Sequence, residues 1–290
     1  MQLWFVLALA VVFLWGSDGI FAKLSTPHLG VTRIAILMVI IDGIMYSLGF
    51  YYWRDSLPIT LADSVLATAS CVVGGIAYLC FFESITDGQI AIVGTISAAY
   101  PALTVVGALA FLSETLTGIQ ATAIVAIIGG VVMLSYERNP ESEHAMPRRS
   151  LIFALLAFAL WGFWGLTSKM AINVVGPGNI LGFYAISSFT VPFLYAWFRR
   201  GNPNPTTDKH PSRMAWILGV AALALNVFGV FALSFALQTG LASLVVPISC
   251  AYPLVTVILA VALLHEKLDR FHMMALVLVI IGLIGIGTTG

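Results

Sequence analysis

Apolar residues run in long blocks along the chain, and polar residues gather in short breaks between them. A membrane-crossing helix needs about 20 mostly apolar residues, because it rises about 1.5 Å per residue through a hydrocarbon core about 30 Å thick. Ten blocks meet that need: 3–22, 33–53, 61–86, 89–112, 116–136, 150–171, 178–198, 214–237, 241–264 and 268–287. Blocks three and four are separated only by Thr86-Asp87-Gly88, and blocks eight and nine only by Gln238-Thr239-Gly240. A short polar break ending in Gly predicts a tight helical hairpin. Two connections are clearly polar, 137–149 and 199–213, and neither is long enough for a domain outside the membrane. The first block lacks a basic start and is too long for the apolar core of a signal peptide, so it is expected to be retained. The pattern predicts an all-α integral membrane protein with ten transmembrane helices, in the cell (inner) membrane.

Composition narrows the function. The chain is 60% hydrophobic and 9% charged, against roughly 25% charged in a soluble domain. So few charges cannot cover a water-facing surface, which excludes a soluble enzyme and a disordered chain. Thirteen basic and thirteen acidic residues cancel, so no basic stripe is available for nucleic acid. Cys71, Cys80 and Cys250 all lie in apolar runs, and an odd buried set predicts no disulfide framework. The histidines at 28, 144, 210, 265 and 272 fall at block ends or in connections without metal-ligand spacing. No phosphate-binding G-x-x-x-x-G-K-[ST] loop occurs. No cofactor and no metal are expected. The expected partners are a small-molecule substrate and the lipid bilayer, with monomer and homodimer both open.

Orientation follows from Lys and Arg in the connections. Odd-numbered connections hold Lys23, Arg33, Arg138, Arg148, Arg149, Arg199, Arg200, Lys209, Arg213, Lys267 and Arg270; even-numbered ones hold Arg54 and Lys169. The odd connections are therefore expected in the cytoplasm, with both termini outside.

The chain also repeats itself. Leu14-Trp15-Gly16-Ser17-Asp18-Gly19 followed by Lys23 matches Leu160-Trp161-Gly162-Phe163-Trp164-Gly165 followed by Lys169, 146 positions on. Ile96-Ser97-Ala98-Ala99-Tyr100-Pro101 with Thr104, Glu114 and Leu116 matches Ile248-Ser249-Cys250-Ala251-Tyr252-Pro253 with Thr256, Glu266 and Leu268, 152 positions on. Five blocks per copy means the second copy enters the membrane from the opposite side. Inverted repeats of this kind occur in many secondary transporters, with the substrate site near the midplane between halves. The predicted division is 1–145 and 146–290, two inverted five-helix repeats.

The paired L-W-G-x-x-G-x-x-x-K and A-Y-P…E-x-L stretches resemble the EamA-type repeat of the drug/metabolite transporter superfamily, over nearly the whole chain. That resemblance implies a ten-helix bundle that moves small metabolites, usually outward. It does not name a substrate, since such proteins carry amino acids, nucleotide precursors, sugars, amines and drugs.

Besides Asp63 and Asp269 at block starts, three acids lie inside blocks: Asp18, Asp42 and Glu83. An ionised acid at mid-bilayer costs roughly 2.5–3.5 kcal/mol on insertion scales, so each should face a cavity or a partner. By the repeat offsets their second-copy counterparts are Trp164, Ser188 and Phe235, so the negative charge is one-sided. The functional reading is a site for a cationic amine, or carboxylates that exchange protons. The structural reading pairs Asp18 with Lys23 or Arg33, and takes Glu83 to the interface. Asp42, nearest mid-depth, is the leading coupling residue, followed by Asp18 and Glu83.

Trp15, Trp161 and Trp164 lie deep in their blocks and are candidates to line the site, with Tyr78, Tyr100, Tyr252 and Asn226. Aromatic rings offer flat surface that stacks on a ring or covers a cation. Helix packing beside neighbouring glycines is the structural alternative. Pro101 and Pro253 should bend their helices. Gly16, Gly19, Gly162 and Gly165 should allow close helix contact. Glu114 and Glu266 are expected to complement the N-terminal dipole of the next helix. Blocks five and ten, without ionisable residues at mid-depth, should stand away from the site.

Two rivals weigh less. An intramembrane aspartyl protease needs two carboxylates sharing a proton, but Asp18 sits in Gly-Ser-Asp-Gly and no Tyr-Asp pair occurs. A receptor or scaffold would need an extramembrane partner surface that the chain lacks. The preferred reading is a secondary transporter, an exporter of small metabolites such as amino acids. The alternative is efflux of cationic amines or drugs by proton antiport.

Overall fold

A computed structural model describes residues 2–87, 95–136, 147–199, 210–264 and 268–289. Among these residues every regular element is a helix: α1 Leu3–Trp53, α2 Leu61–Asp87, α3 Tyr100–Phe111, α4 Gly118–Ser135, α5 Arg148–Val175, α6 Asn179–Arg199, α7 Arg213–Thr239, α8 Ala242–Ser249, α9 Tyr252–Leu264 and α10 Arg270–Gly287. A helix satisfies its backbone groups internally, as hydrocarbon requires. Eight segments are long and apolar enough to cross a membrane, and Thr95–Phe111 is a shorter apolar helix. The turn at Gly88, Glu266 and most of the two polar connections lie outside the described residues.

α1 has 51 residues, about 77 Å if straight, far more than one crossing. It breaks at Gly30, where φ is +73°, a conformation open to glycine and strained for other residues. α7 records the consequence. Leu29, Asp18, Trp15 and Trp4 meet Gly219, Asn226, Gly229 and Gly240 in that order, so residues 3–29 run antiparallel to α7. Leu37 meets Gly219 and Gly49 meets Phe231, so residues 31–53 run parallel to it. The two arms are therefore antiparallel to each other. The polar stretch expected as a connection, 23–32, is helical as far as the break, because Lys23 and Pro27 fall within the first arm rather than ending it.

α2 organises α5 and α6 in the same way. Ser70, Gly74 and Glu83 meet Ser168, Trp164 and Arg149, antiparallel. Cys71, Gly75 and Glu83 meet Ser187, Val191 and Tyr195, parallel. Each three-helix group takes two helices from one half of the chain and one from the other, so the halves are interlocked.

The two proline-containing segments are interrupted rather than merely bent. Residues 95–98 make one helical turn that ends at Ala99 before α3, and α8 ends at Ser249 before α9 begins at Tyr252. Pro101 and Pro253 have no N–H to give the carbonyls four residues back, those of Ser97 and Ser249.

The paired glycines carry the crossings. A Cβ on Gly16 would lie 2.5 Å from the Val255 Cβ, and one on Gly162 would lie 2.7 Å from that of Leu103. Gly19 and Gly165 face Thr256 and Thr104 in the same fashion. Thr256 donates to the Gly16 carbonyl at 2.9 Å, and Thr104 to the Gly162 carbonyl at 2.9 Å. The contact thus occurs twice with the halves exchanged.

α4 and α10 pack on each other through Gly130 against Val279 and Gly282 against Ile127. The exposed apolar face of α10 includes Met273, Met274, Val277 and Ile281, as suits contact with lipid chains.

Glu114 departs from its expected role. It does not serve α4, whose N-cap is Thr117 in a reciprocal capping box with Gln120. It caps α8 instead, accepting from Ala242 N–H at 2.8 Å, Ser243 N–H at 2.9 Å and the Ser243 hydroxyl at 2.6 Å. Ser113, at φ +54°, turns the chain so that Glu114 points into the other half.

Candidate functional site

The antiparallel contact between the first arm of α1 and α7 sets one side of the site. Gly229 has no side chain, and the Trp15 indole lies against it. Trp15 Nε1 donates to the Asn226 carbonyl at 3.2 Å. The Asn226 amide donates to Asp18 Oδ2 at 3.2 Å. The structural alternative for Asp18, a pair with Lys23 or Arg33, is replaced by this amide. Trp15 also meets Tyr252 edge-on, with ring centroids 6.1 Å apart.

The second arm of α1 brings Asp42. Its side chain is buried, the residue being 4% exposed, and Oδ1 has no hydrogen-bond partner among the described residues. Along α7, Asp42 falls between Leu37 at Gly219 and Gly49 at Phe231, the stretch in which Asn226 holds Asp18. Neither acid is ion-paired among the described residues. One turn after Asp42, Tyr46 stacks on Tyr184 with centroids 5.3 Å apart and planes at 24°.

The third side comes from α2, α3 and α5. Trp161 meets Tyr78 at 6.4 Å, Phe81 at 5.4 Å and Tyr100 at 5.8 Å. α3, which starts at Tyr100, packs against α8, which ends just before Cys250, so the two helix interruptions adjoin. Trp164 is turned away from Trp161's partners. Its Nε1 donates to the Tyr184 hydroxyl at 3.0 Å, and its ring lies on Gly74.

Trp15, Asp18, Asn226 and Tyr252 thus form one contact group between the halves, Trp161, Tyr78 and Tyr100 a second, and Asp42 lies on the second arm of α1. Trp164 reaches that arm through Tyr184 and Tyr46. Glu83 stands apart: it accepts from Arg149 at 2.7 Å and from the Tyr195 hydroxyl at 3.2 Å.

Sequence reasoning did not single out Tyr46, Tyr184 or the hydroxyl chain behind them. Thr167 donates to Ser70 at 3.1 Å, Ser70 and Ser168 are 3.1 Å apart, and Ser168 lies 3.5 Å from the Tyr184 hydroxyl. Tyr46 was findable, because residues four apart share a helix face. Tyr184 had no local signal.

The repeat explains why the acids sit in one half. Asp18 and Trp164 occupy equivalent positions, as do Asn226 and Gly74. In one half the pair is carboxylate and amide; in the other, indole and bare backbone. The site is polar on one side and filled on the other.

Comparisons with known proteins agree with the repeat. The EamA-like transporter family model matches residues 2–136 and again 148–288. The threonine/homoserine exporter RhtA of Salmonella typhimurium, in two strains, is 33% identical over 119 residues. That match spans 40% of this chain and 38% of the relative's length. A crystal structure with 15% sequence identity superposes with a TM-score of 0.78, covering 99% of this chain and 96% of the other; it shows the fold alone. With its apolar helices and two matched repeats, this multi-pass membrane protein belongs to the EamA-like transporter family of the drug/metabolite transporter superfamily.

Proposed function

We propose that the protein is a secondary transporter that exports a small metabolite bearing an ammonium group, such as an amino acid, by alternating access between two inverted five-helix repeats. Ten crossings fit the helices: eight apolar segments, the first counted twice because it folds back at Gly30, and Thr95–Phe111. We take the division at 145/146, both termini outside and the cell (inner) membrane as parts of the same reading. The observation that carries it is the pair Asp18 and Asp42, two carboxylates that have no ion-pair partner among the described residues and lie near aromatic side chains between the halves. A cation supplied by the substrate offsets the cost of holding that charge away from water. Trp15, Trp161, Tyr78, Tyr100 and Tyr252 offer ring faces to it, and Asn226 orients Asp18. The partial likeness to a threonine/homoserine exporter favours amino acids.

A second reading, efflux of cationic amines or drugs in exchange for protons, is favoured by one observation. Lys169, a buried cation, is spent on backbone carbonyls, those of Leu237 and Gly240. Among the described residues no ion pair sets a cation on Asp18 or Asp42 that could receive a substrate carboxylate. Here Asp42 exchanges the proton and Asp18 holds the amine. Glu83, already engaged by Arg149, contributes less to coupling.

The test is counterflow in proteoliposomes preloaded with threonine, homoserine, other amino acids, nucleobases, sugars or amines. Exchange of an amino acid supports the first reading and exchange of an amine without a carboxylate supports the second. Exchange restricted to sugars or nucleobases contradicts both.

A further inference from the structure

One face of the bundle is tied together by side chains that cap helix ends across the halves. Trp4 lies against Gly240 and Phe5 against Gly287, so the ends of α7 and α10 and the start of α1 share this face. Glu114, from the first half, caps α8 in the second through three hydrogen bonds and is buried. Asp55, also from the first half, accepts from Gly178 N–H at 2.9 Å and Asn179 N–H at 3.3 Å at the start of α6. Asn179 returns two bonds, donating to the Asp55 carbonyl at 3.0 Å and accepting from its N–H at 3.1 Å. Lys169 binds the carbonyl end of α7 beside the start of α8 that Glu114 caps. Each carboxylate meets N–H groups at a positive helix end, the arrangement in which such bonds are strongest.

We propose that Glu114 and Asp55 are latches that hold this face closed and release when the transporter opens on this side. The proposal rests on the alternating-access reading. The Thr256–Gly16 and Thr104–Gly162 bonds are related by the repeat, so a rocking axis through them leaves both intact. The caps sit instead at the starts of α6 and α8, away from those two bonds. Rocking the halves apart at this face separates Glu114 from α8 and Asp55 from α6. Ser113 at φ +54° fits a latch, since a serine held in the left-handed region costs free energy that only the closed contact offsets. The closed face is a two-state element whose balance the caps bias.

The experiment uses the full chain in lipid nanodiscs with Cys71, Cys80 and Cys250 replaced by serine. Spin labels are placed through Phe111→Cys and Thr239→Cys, exposed positions on opposite halves of this face. Double electron–electron resonance then reads the distance between them. The parent should show one short distance. Glu114→Gln should add a second, longer and equally narrow distance, with the open-to-closed ratio raised about tenfold, and Asp55→Asn should do so to a smaller degree. If Glu114→Gln yields no folded protein, Asp55→Asn decides. An unchanged distance distribution in the folded variants overturns the latch, as does a merely broadened one, which marks loosened packing. The reading needs no substrate. A shifted distance in a protein that moves no solute would contradict the transport function while leaving the latch intact.

Discussion

The Thr256 hydroxyl donates to the Gly16 carbonyl at 2.9 Å, and Gly16 lets the two helices close to that distance. A Cβ there would sit 2.7 Å from the Tyr252 carbonyl and 2.5 Å from the Val255 Cβ. Neither neighbour is a flexible chain end, so the helices themselves must separate. Gly16→Val is expected to cost about 1–3 kcal/mol, the usual penalty of overpacking. Gly129→Ala is the matched control, since its Cβ meets only Leu278 at 3.8 Å. Thermal unfolding in detergent should show a lowered midpoint for the first and none for the second. Equal midpoints would remove the crossing from the account.

Asn226 is expected to act on the site through Asp18. Asn226→Ala removes the amide that holds Asp18 Oδ2 while leaving the backbone carbonyl that accepts from Trp15. Substrate affinity should fall about tenfold, equivalent to about 1.4 kcal/mol, and Asn226→Gln should recover part of it. Binding measured by calorimetry checks this; unchanged affinity in the alanine variant would show that Asp18 needs no orientation.

The Glu83–Arg149 pair should behave as a structural contact. The Arg149 side chain is 56% exposed but that of Glu83 only 11%, so removing the cation leaves a buried carboxylate without it. Arg149→Ala should therefore lower the unfolding midpoint and leave the response of uptake to a pH gradient intact. A lost response would return Glu83 to the coupling machinery.

The positions of crossings were legible because helix contacts obey local rules. Gly16 and Gly162 mark close approach wherever they occur. Pro101 and Pro253 mark missing backbone bonds, although whether such a helix bends or stops depends on its surroundings. Lys23 and Pro27 resemble connection residues, whereas the break in α1 needs only the backbone freedom of Gly30. Glu114 stands next to α4 in sequence, yet it binds residues 128 and 129 positions away. Single-sequence patterns carry no signal for a partner at that separation. Asp18 and Asn226, 208 positions apart, were each noticed as polar residues in apolar blocks, and only the fold joins them.

Asp18 and Asp42 are proposed to receive the cationic group of the cargo, with Asp42 linking its movement to protons. Asp42→Asn keeps size and hydrogen bonding but cannot ionise. Uptake into proteoliposomes, with and without a pH gradient, tests it most directly, using whichever amino acid or amine gives counterflow. Wild-type protein should accumulate the solute when the gradient is imposed. Asp42→Asn should still exchange solute at equal concentrations but lose gradient-driven accumulation, while Asp18→Asn should mainly weaken affinity for the cation. Undiminished gradient-driven accumulation by Asp42→Asn would contradict the account.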